Sequence, residues 1–119
     1  MAALIYEKMN DCEFWKERNT GRVLRYRHGS YQKLFDSKGR PVSIEDGSDS
    51  AKFRYDKCGK LVMETHKSNE FEYKKWYSYD ERGNILSIID SFGNKEMFGA
   101  DGVPFYFITG RPAPENLLS

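Results

Sequence analysis

The chain is short of the residues from which most catalytic and metal sites are built. It has two cysteines, Cys12 and Cys58, and two histidines, His28 and His66, in 119 residues. Two distant cysteines supply neither a metal-ligand spacing nor a disulfide framework, so a reduced pair is the expectation. A Cys–His dyad needs spatial pairing that sequence does not show, and nothing beside either thiol resembles a nucleophile motif. No apolar run approaches the roughly 20 residues needed to cross a bilayer as a helix. The opening residues, Met1 to Lys8, carry no basic leader of the signal-peptide kind. A cytoplasmic protein with no membrane partner and no cofactor is expected. Net charge is also lacking, at +1 despite 31% charged residues, so no global field draws the chain to nucleic acid or anionic lipid.

What is abundant is aromatic. Eight Tyr, eight Phe and two Trp make up 15% of the chain, a composition that favours half-buried pleated surfaces. No stretch sustains helical periodicity. Residues 2–9 are open between a helix, with Ile5, Met9 and Cys12 on one face, and a strand, the preferred reading, since Asn10-Asp11 ends either early. Residues 12–18 and 22–27 form a hairpin about Asn19-Thr20-Gly21, and His28-Gly29-Ser30 is the next turn. Tyr31–Phe35 is a strand, followed by one marked by Val42 and Ile44. Asp46-Gly47-Ser48-Asp49-Ser50 reads as a loop, faintly like a calcium loop but without EF-hand spacing or a closing Glu. Ala51, Phe53 and Tyr55 then alternate with Lys52 and Arg54, and Leu61, Met63 and Thr65 mark the return strand. Phe71, Tyr73, Tyr77 and Tyr79 share one face of a long strand, and Trp76 points the other way. Residues 85–89 and 103–108 are apolar on both faces, which predicts cover on both, from the sheet folding back or from a partner. Pro104 suggests an edge position or a strand end.

A short phrase punctuates these strands. Tyr55-Asp56-Lys57-Cys58-Gly59 and Tyr79-Asp80-Glu81-Arg82-Gly83 are its full copies, Phe35-Asp36-Ser37-Lys38-Gly39 a near copy, and Phe98-Gly99-Ala100-Asp101-Gly102 a degenerate one. Glycines 21, 39, 59, 83 and 102 are 18, 20, 24 and 19 residues apart, room for two strands and a turn each. Physically, the glycine closes a tight turn, the aspartate bonds back to turn N–H groups, and the aromatic ends the strand on its buried face. Asp36, Asp56 and Asp80 are therefore turn caps rather than a converging metal or acid–base set.

These phrases resemble the YD repeats of RHS proteins and teneurins, most closely over residues 51–95 and more loosely from 31 to 103. In that family the repeats build long β-sheets that spiral into shells around toxin domains. At 119 residues this chain is far too short for a shell and shows no toxin domain or self-cleavage motif. The resemblance implies hairpin architecture, not the family's function. The expected fold is all-β: a single-domain antiparallel meander over residues 1–110, strongly twisted or partly closed, with a flexible tail at 111–119.

Candidate binding residues follow from what the repeat does not require. Residues 16–40 hold eight Lys or Arg against Glu17 and Asp36, whereas from Glu45 onward there are thirteen acids and ten bases. Arg22, Arg25 and Arg27, interleaved with Tyr26 and Tyr31, suit phosphate contact with base stacking or docking on an acidic protein. Their alternative reading is a solvated strand face. Trp76, opposed to the tyrosines of its strand, suits an interface anchor. The leading expectation is a non-enzymatic protein-binding module, in the manner of a phage or mobile-element inhibitor of a bacterial defence system such as an anti-CRISPR protein. A nucleic-acid binder using residues 16–40 and a homo-oligomeric structural module are the alternatives.

Overall fold

The computed structural model describes residues 3–119. Met1 and Ala2, which begin the expected domain and first strand segment, lie outside the described residues. Eleven strands form one antiparallel sheet in chain order, each paired to the next: β1 Leu4–Met9, β2 Cys12–Glu17, β3 Val23–His28, β4 Tyr31–Phe35, β5 Pro41–Asp46, β6 Asp49–Tyr55, β7 Leu61–Lys67, β8 Glu72–Tyr79, β9 Ile85–Asp90, β10 Lys95–Phe98 and β11 Pro104–Ile108. The meander is all-β, as the turn rhythm predicts. It stays open, because β1 and β11 do not pair, so each presents one unpaired side.

The repeated phrase acts as a turn. At Asp80, the N–H bonds the Asn84 carbonyl and the Gly83 N–H bonds the Asp80 carbonyl, while Oδ1 accepts the N–H groups of Arg82 and Asn84. Gly83 closes the loop at φ +86°, a conformation that a Cβ makes costly. Asp36 and Asp56 repeat this set of bonds. Asp90-Ser91-Phe92-Gly93-Asn94 is a further copy that lacks the preceding aromatic, and it sits at the opposite end of the strands. The register slips by one residue just beyond the turns after Phe35, Tyr55 and Tyr79. The strand-ending tyrosines then reach sideways: Tyr55 donates to the Pro41 carbonyl at 2.6 Å and Tyr79 to the Leu61 carbonyl at 2.7 Å. Each equivalent tyrosine thus ties its repeat to the previous one. The residue after each glycine reaches in the other direction, with Arg40 over the Tyr55 ring and Lys60 over the Tyr79 ring.

Asp46-Gly47-Ser48-Asp49-Ser50 is not a loop. Asp46 and Asp49 face each other across a two-residue turn, Gly47-Ser48, and the Ser30 hydroxyl donates to Asp46. Extended strand pairing consumes the residues that composition marks as irregular.

One layer of sheet cannot cover itself. Among the described residues the buried apolar side chains are Ile44, Ala51 and Tyr73, in the middle strands. The molecule is a plate of 48 × 36 × 21 Å with a radius of gyration of 17.2 Å, against about 13.5 Å for a compact chain of this length. Its accessible surface is 8237 Å², where a compact monomer of this mass exposes about 6,700 Å². The two-sided apolar strands are where cover is missing: Leu86, Ile89, Val103, Phe105, Tyr106, Phe107 and Ile108 are all exposed. The sheet does not fold back over them. Pro104 opens the edge strand β11, in keeping with its missing N–H.

Residues 111–119, expected as a flexible tail, lie against the sheet. The Arg111 N–H bonds the Phe92 carbonyl, Gly110 N–H bonds Asn94 Oδ1, and the Arg111 guanidinium stacks on Phe92 at 4.2 Å. A Cβ at Gly110 would stand 2.3 Å from the Phe92 carbonyl oxygen, so this crossing requires glycine. Leu117 and Leu118 are half-buried, and the Tyr31 hydroxyl donates to the Ser119 carbonyl at 3.3 Å.

Candidate functional site

Strand alternation separates the six candidate residues. The directly paired line Phe14, Tyr26, Lys33, Ile44, Ala51, His66 and Tyr73 marks one face, here the inner face, which the tail partly covers. The opposite line runs Tyr6, Trp15, Arg25, Leu34, Ser43, Lys52, Thr65 and Lys74 on the outer face. Tyr26 and Tyr31 are thus inner, Arg25, Arg27 and Trp76 outer, and Arg22 belongs to the turn before β3. Trp76 lies five strands from Arg25, about 24 Å at the usual strand spacing.

Much of the basic stretch is already engaged. Arg25 stacks on Trp15 at 4.4 Å and donates to Gln32 Oε1, and Arg27 pairs with Glu13 at 2.8 Å. Arg22 lies over Gly39 and donates to the Ser37 carbonyl, and Arg40 pairs with Asp36. Tyr26 packs on Phe14 and Tyr31, with its hydroxyl 3.4 Å from Cys12 Sγ. The outer-face cluster around Arg25 also includes Tyr6, whose ring centroid is 5.1 Å from that of Trp15. Sequence reasoning passes over Tyr6 and Trp15. Their signal is the outward parity they share with Arg25 and Arg27 once the hairpin register is known.

The second feature of the outer face lies at the C-terminal half. Met63, Trp76, Ile89, Lys95 and Ile108 pair in succession across β7 to β11, and Met97 and Tyr106 pair in the neighbouring row. Trp76 is 39% exposed, and Ile89, Tyr106 and Ile108 are exposed as well. Lys52, Arg54, Lys67, Lys74 and Lys95 share this face against Glu45 and Glu72, and Glu72 lies within 3.8 Å of both Lys67 and Lys74. The result is an apolar band with a basic surround.

The inner face holds the buried apolar centre and, beside it, a network of polar side chains. Glu64 accepts the Tyr77 hydroxyl through one oxygen and meets His66 Nε2 at 3.1 Å through the other. The His66 bond holds the Glu64 carboxyl below its ordinary range, outweighing burial and helped by Tyr77. The Tyr73 hydroxyl donates to Asp90 Oδ2 at 2.8 Å. Burial, then that bond, pushes the Tyr73 hydroxyl far above the ordinary tyrosine value. Burial raises Asp90, yet the Asn94 side chain and backbone, Tyr73 and the Phe92 N–H together bring it below the usual carboxylate range. His66 Nδ1 is buried without a hydrogen-bond partner. A cleft of about 340 Å³ beside His66 lies between Ser48–Ser50, Lys67–Phe71 and tail residues 115–118.

The thiols do not meet. Cys58 is in the turn between β6 and β7, whereas Cys12 is four strands away at the other end of the sheet, and both are free. Cys12 does stand directly opposite His28, but its hydrogen-bond partner is Tyr26. Successive copies among Asp36, Asp56 and Asp80 are two strands apart, about 10 Å, and each Oδ1 is occupied by turn N–H groups. Among the described residues no three His, Cys, Asp or Glu side chains converge, and no helix is long and apolar enough to cross a membrane. Compared with models of protein families and with curated protein sequences, the chain finds no match in either.

Proposed function

We propose that the protein is a non-enzymatic binding module that docks another protein on the outer face of its C-terminal half. The observation carrying this reading is the Met63–Trp76–Ile89 row, directly paired across β7 to β9 and joined through Lys95 to Ile108, which has no covering layer. An apolar centre with an aromatic anchor and a charged surround is the anatomy of a protein interface. The surround is basic, so the partner is a protein whose own apolar patch is rimmed by Asp and Glu. The strands hold the band in fixed register, so little ordering entropy opposes docking. Steric inhibition of a bacterial defence complex, as by an anti-CRISPR protein, is the narrower form of this proposal. The YD-like turn phrase supports reading the sheet as a short strip of such repeats, used here as a rigid surface.

The test is variant-controlled capture from bacterial lysate. Wild-type protein is expected to retain a defined partner that Trp76→Glu loses and Arg25→Ala/Arg27→Ala keeps. Identical protein sets on wild type and Trp76→Glu would overturn the reading.

A second reading is favoured by the Tyr6–Trp15–Arg25 cluster, which joins the exposed Tyr6 and the half-buried Trp15 to a guanidinium on the outer face. Single-stranded nucleic acid stacking there would be salt-dependent and weakened by Trp15→Ala. Gel shifts unchanged by that substitution or by salt would remove it.

A further inference from the structure

The two open edges of the sheet differ in a way that points to self-association. β1 carries Glu7 and Lys8, charges of the kind that discourage strand addition. β11 has none: from Val103 to Gly110 the sequence is uncharged, and Pro104 guards only its first position. The tail does not shield it, because the bonds of Gly110 to Asn94 and of Arg111 to Phe92 carry the chain back over the sheet and away from the free side.

The strand is also symmetric about its own centre. Phe105-Tyr106-Phe107 reads the same in both directions, and Phe107 and Tyr106 lie on opposite faces through their pairing with Glu96 and Met97. An antiparallel pairing of two copies about a two-fold axis through Tyr106, perpendicular to the sheet, keeps each face on its own side. Phe105 then meets Phe107 of the other copy on the inner face, twice. Tyr106 meets its own equivalent on the outer face. Cross-strand aromatic pairs of this kind are among the favourable ones. At 67% and 61% exposed, Phe105 and Phe107 are the least covered rings of this strand.

We propose that β11 is a homodimerisation edge, through which two copies join into one continuous antiparallel sheet about Tyr106. Val103 and Phe105–Ile108 are all exposed along this edge, and an antiparallel partner strand covers the flanks of these side chains on the free side. Pairing also satisfies the unpaired backbone groups of the edge. The edge shares Tyr106 and Ile108 with the margin of the outer-face band, but its inner-face contacts, Phe105 and Phe107, are not part of that band, so Trp76→Glu and Phe105→Lys/Phe107→Lys separate the two surfaces.

Sedimentation velocity on the full chain tests it. Wild type and Trp76→Glu are expected at twice the 13.9 kDa monomer mass at high concentration. Phe105→Lys/Phe107→Lys is expected at the monomer mass with an unchanged far-ultraviolet circular dichroism spectrum. Tyr106→Cys, in a Cys12→Ser/Cys58→Ser background with oxidised glutathione as oxidant, is expected to form a covalent dimer, since directly opposed strand positions lie within disulfide reach. A monomeric wild type overturns the proposal, as does a Tyr106→Cys protein that stays uncrosslinked. Growth past the dimer into long assemblies also overturns it, because that is the signature of β11 pairing with β1 instead.

Discussion

Asp90 holds together a turn, a strand and the tail. Its Oδ1 accepts two backbone N–H groups, its Oδ2 accepts the Tyr73 hydroxyl and the Asn94 amide, and Asn94 in turn binds Gly110 and Arg111. Removing the hydroxyl with Tyr73→Phe leaves a covered carboxylate with an empty site, and should lower stability by about 1–3 kcal/mol in urea denaturation. The pH dependence has a definite sign. Asp90 and Glu64 are held below their ordinary range, so their contribution is complete above the unfolded values near 4. It is lost as pH falls through the lower folded values. The urea midpoint should therefore be flat at neutral pH and drop below about pH 4, with a shallower drop in Tyr73→Phe because Asp90 has lost one cause of its depression. An equally steep drop in the variant would show that the bond does not govern Asp90.

At the scale of elements, the turn phrase and the tyrosine hydroxyls do different work. The turn sets the reversal, while Tyr55 and Tyr79 tie neighbouring repeats through the Pro41 and Leu61 carbonyls. Tyr55→Phe and Tyr79→Phe should each cost about 0.5–1.5 kcal/mol. Two strands apart and without a shared partner, they should add within about 0.5 kcal/mol in the double variant. A larger coupling, measured as a double-mutant cycle, would mean that the ladder acts as one unit. The turn and its glycine were legible in sequence because they are local. The tyrosine bond was not, because it spans 14 residues at Tyr55 and 18 at Tyr79 and depends on the one-residue slips in register. The copy at Asp90 also escaped notice, since Ile89 stands where the phrase has an aromatic.

As a whole, the molecule is nearly one-dimensional: each strand touches its sequence neighbours, and a single layer has no opposing sheet to spread cooperativity. Amide exchange should be slowest in β5 to β8, around Ile44, Ala51, His66 and Tyr73, and fastest in β1, where every residue is exposed. Uniform protection across all eleven strands would contradict this. Gly110→Ala should free the tail, because a Cβ there meets backbone rather than a flexible side chain. Its expected signature is faster exchange at Ser50 and His66 with the central strands otherwise kept. Unchanged exchange at those two positions would show that the tail does not protect the cleft.

The sequence by itself determined most of the strands, the turns carrying the aromatic-Asp-x-x-Gly phrase and the antiparallel order, because hairpins are specified by residues a few positions apart; β10 and the tight Gly47-Ser48 turn emerged only in the structure. Alternation along Val23–His28 also puts Tyr26 and Arg25 on opposite faces, since it is a property of the backbone. Only the tertiary structure decided that the sheet stays open, that the apolar C-terminal strands lack a second layer, and that the tail covers one face and not the edge. Those outcomes rest on distant contacts such as Gly110 with Phe92 and Tyr31 with Ser119. They rest equally on surface that finds no contact within the chain. A repeating turn fixes how each strand meets the next, but it contains no term for where the sheet must end or what covers it.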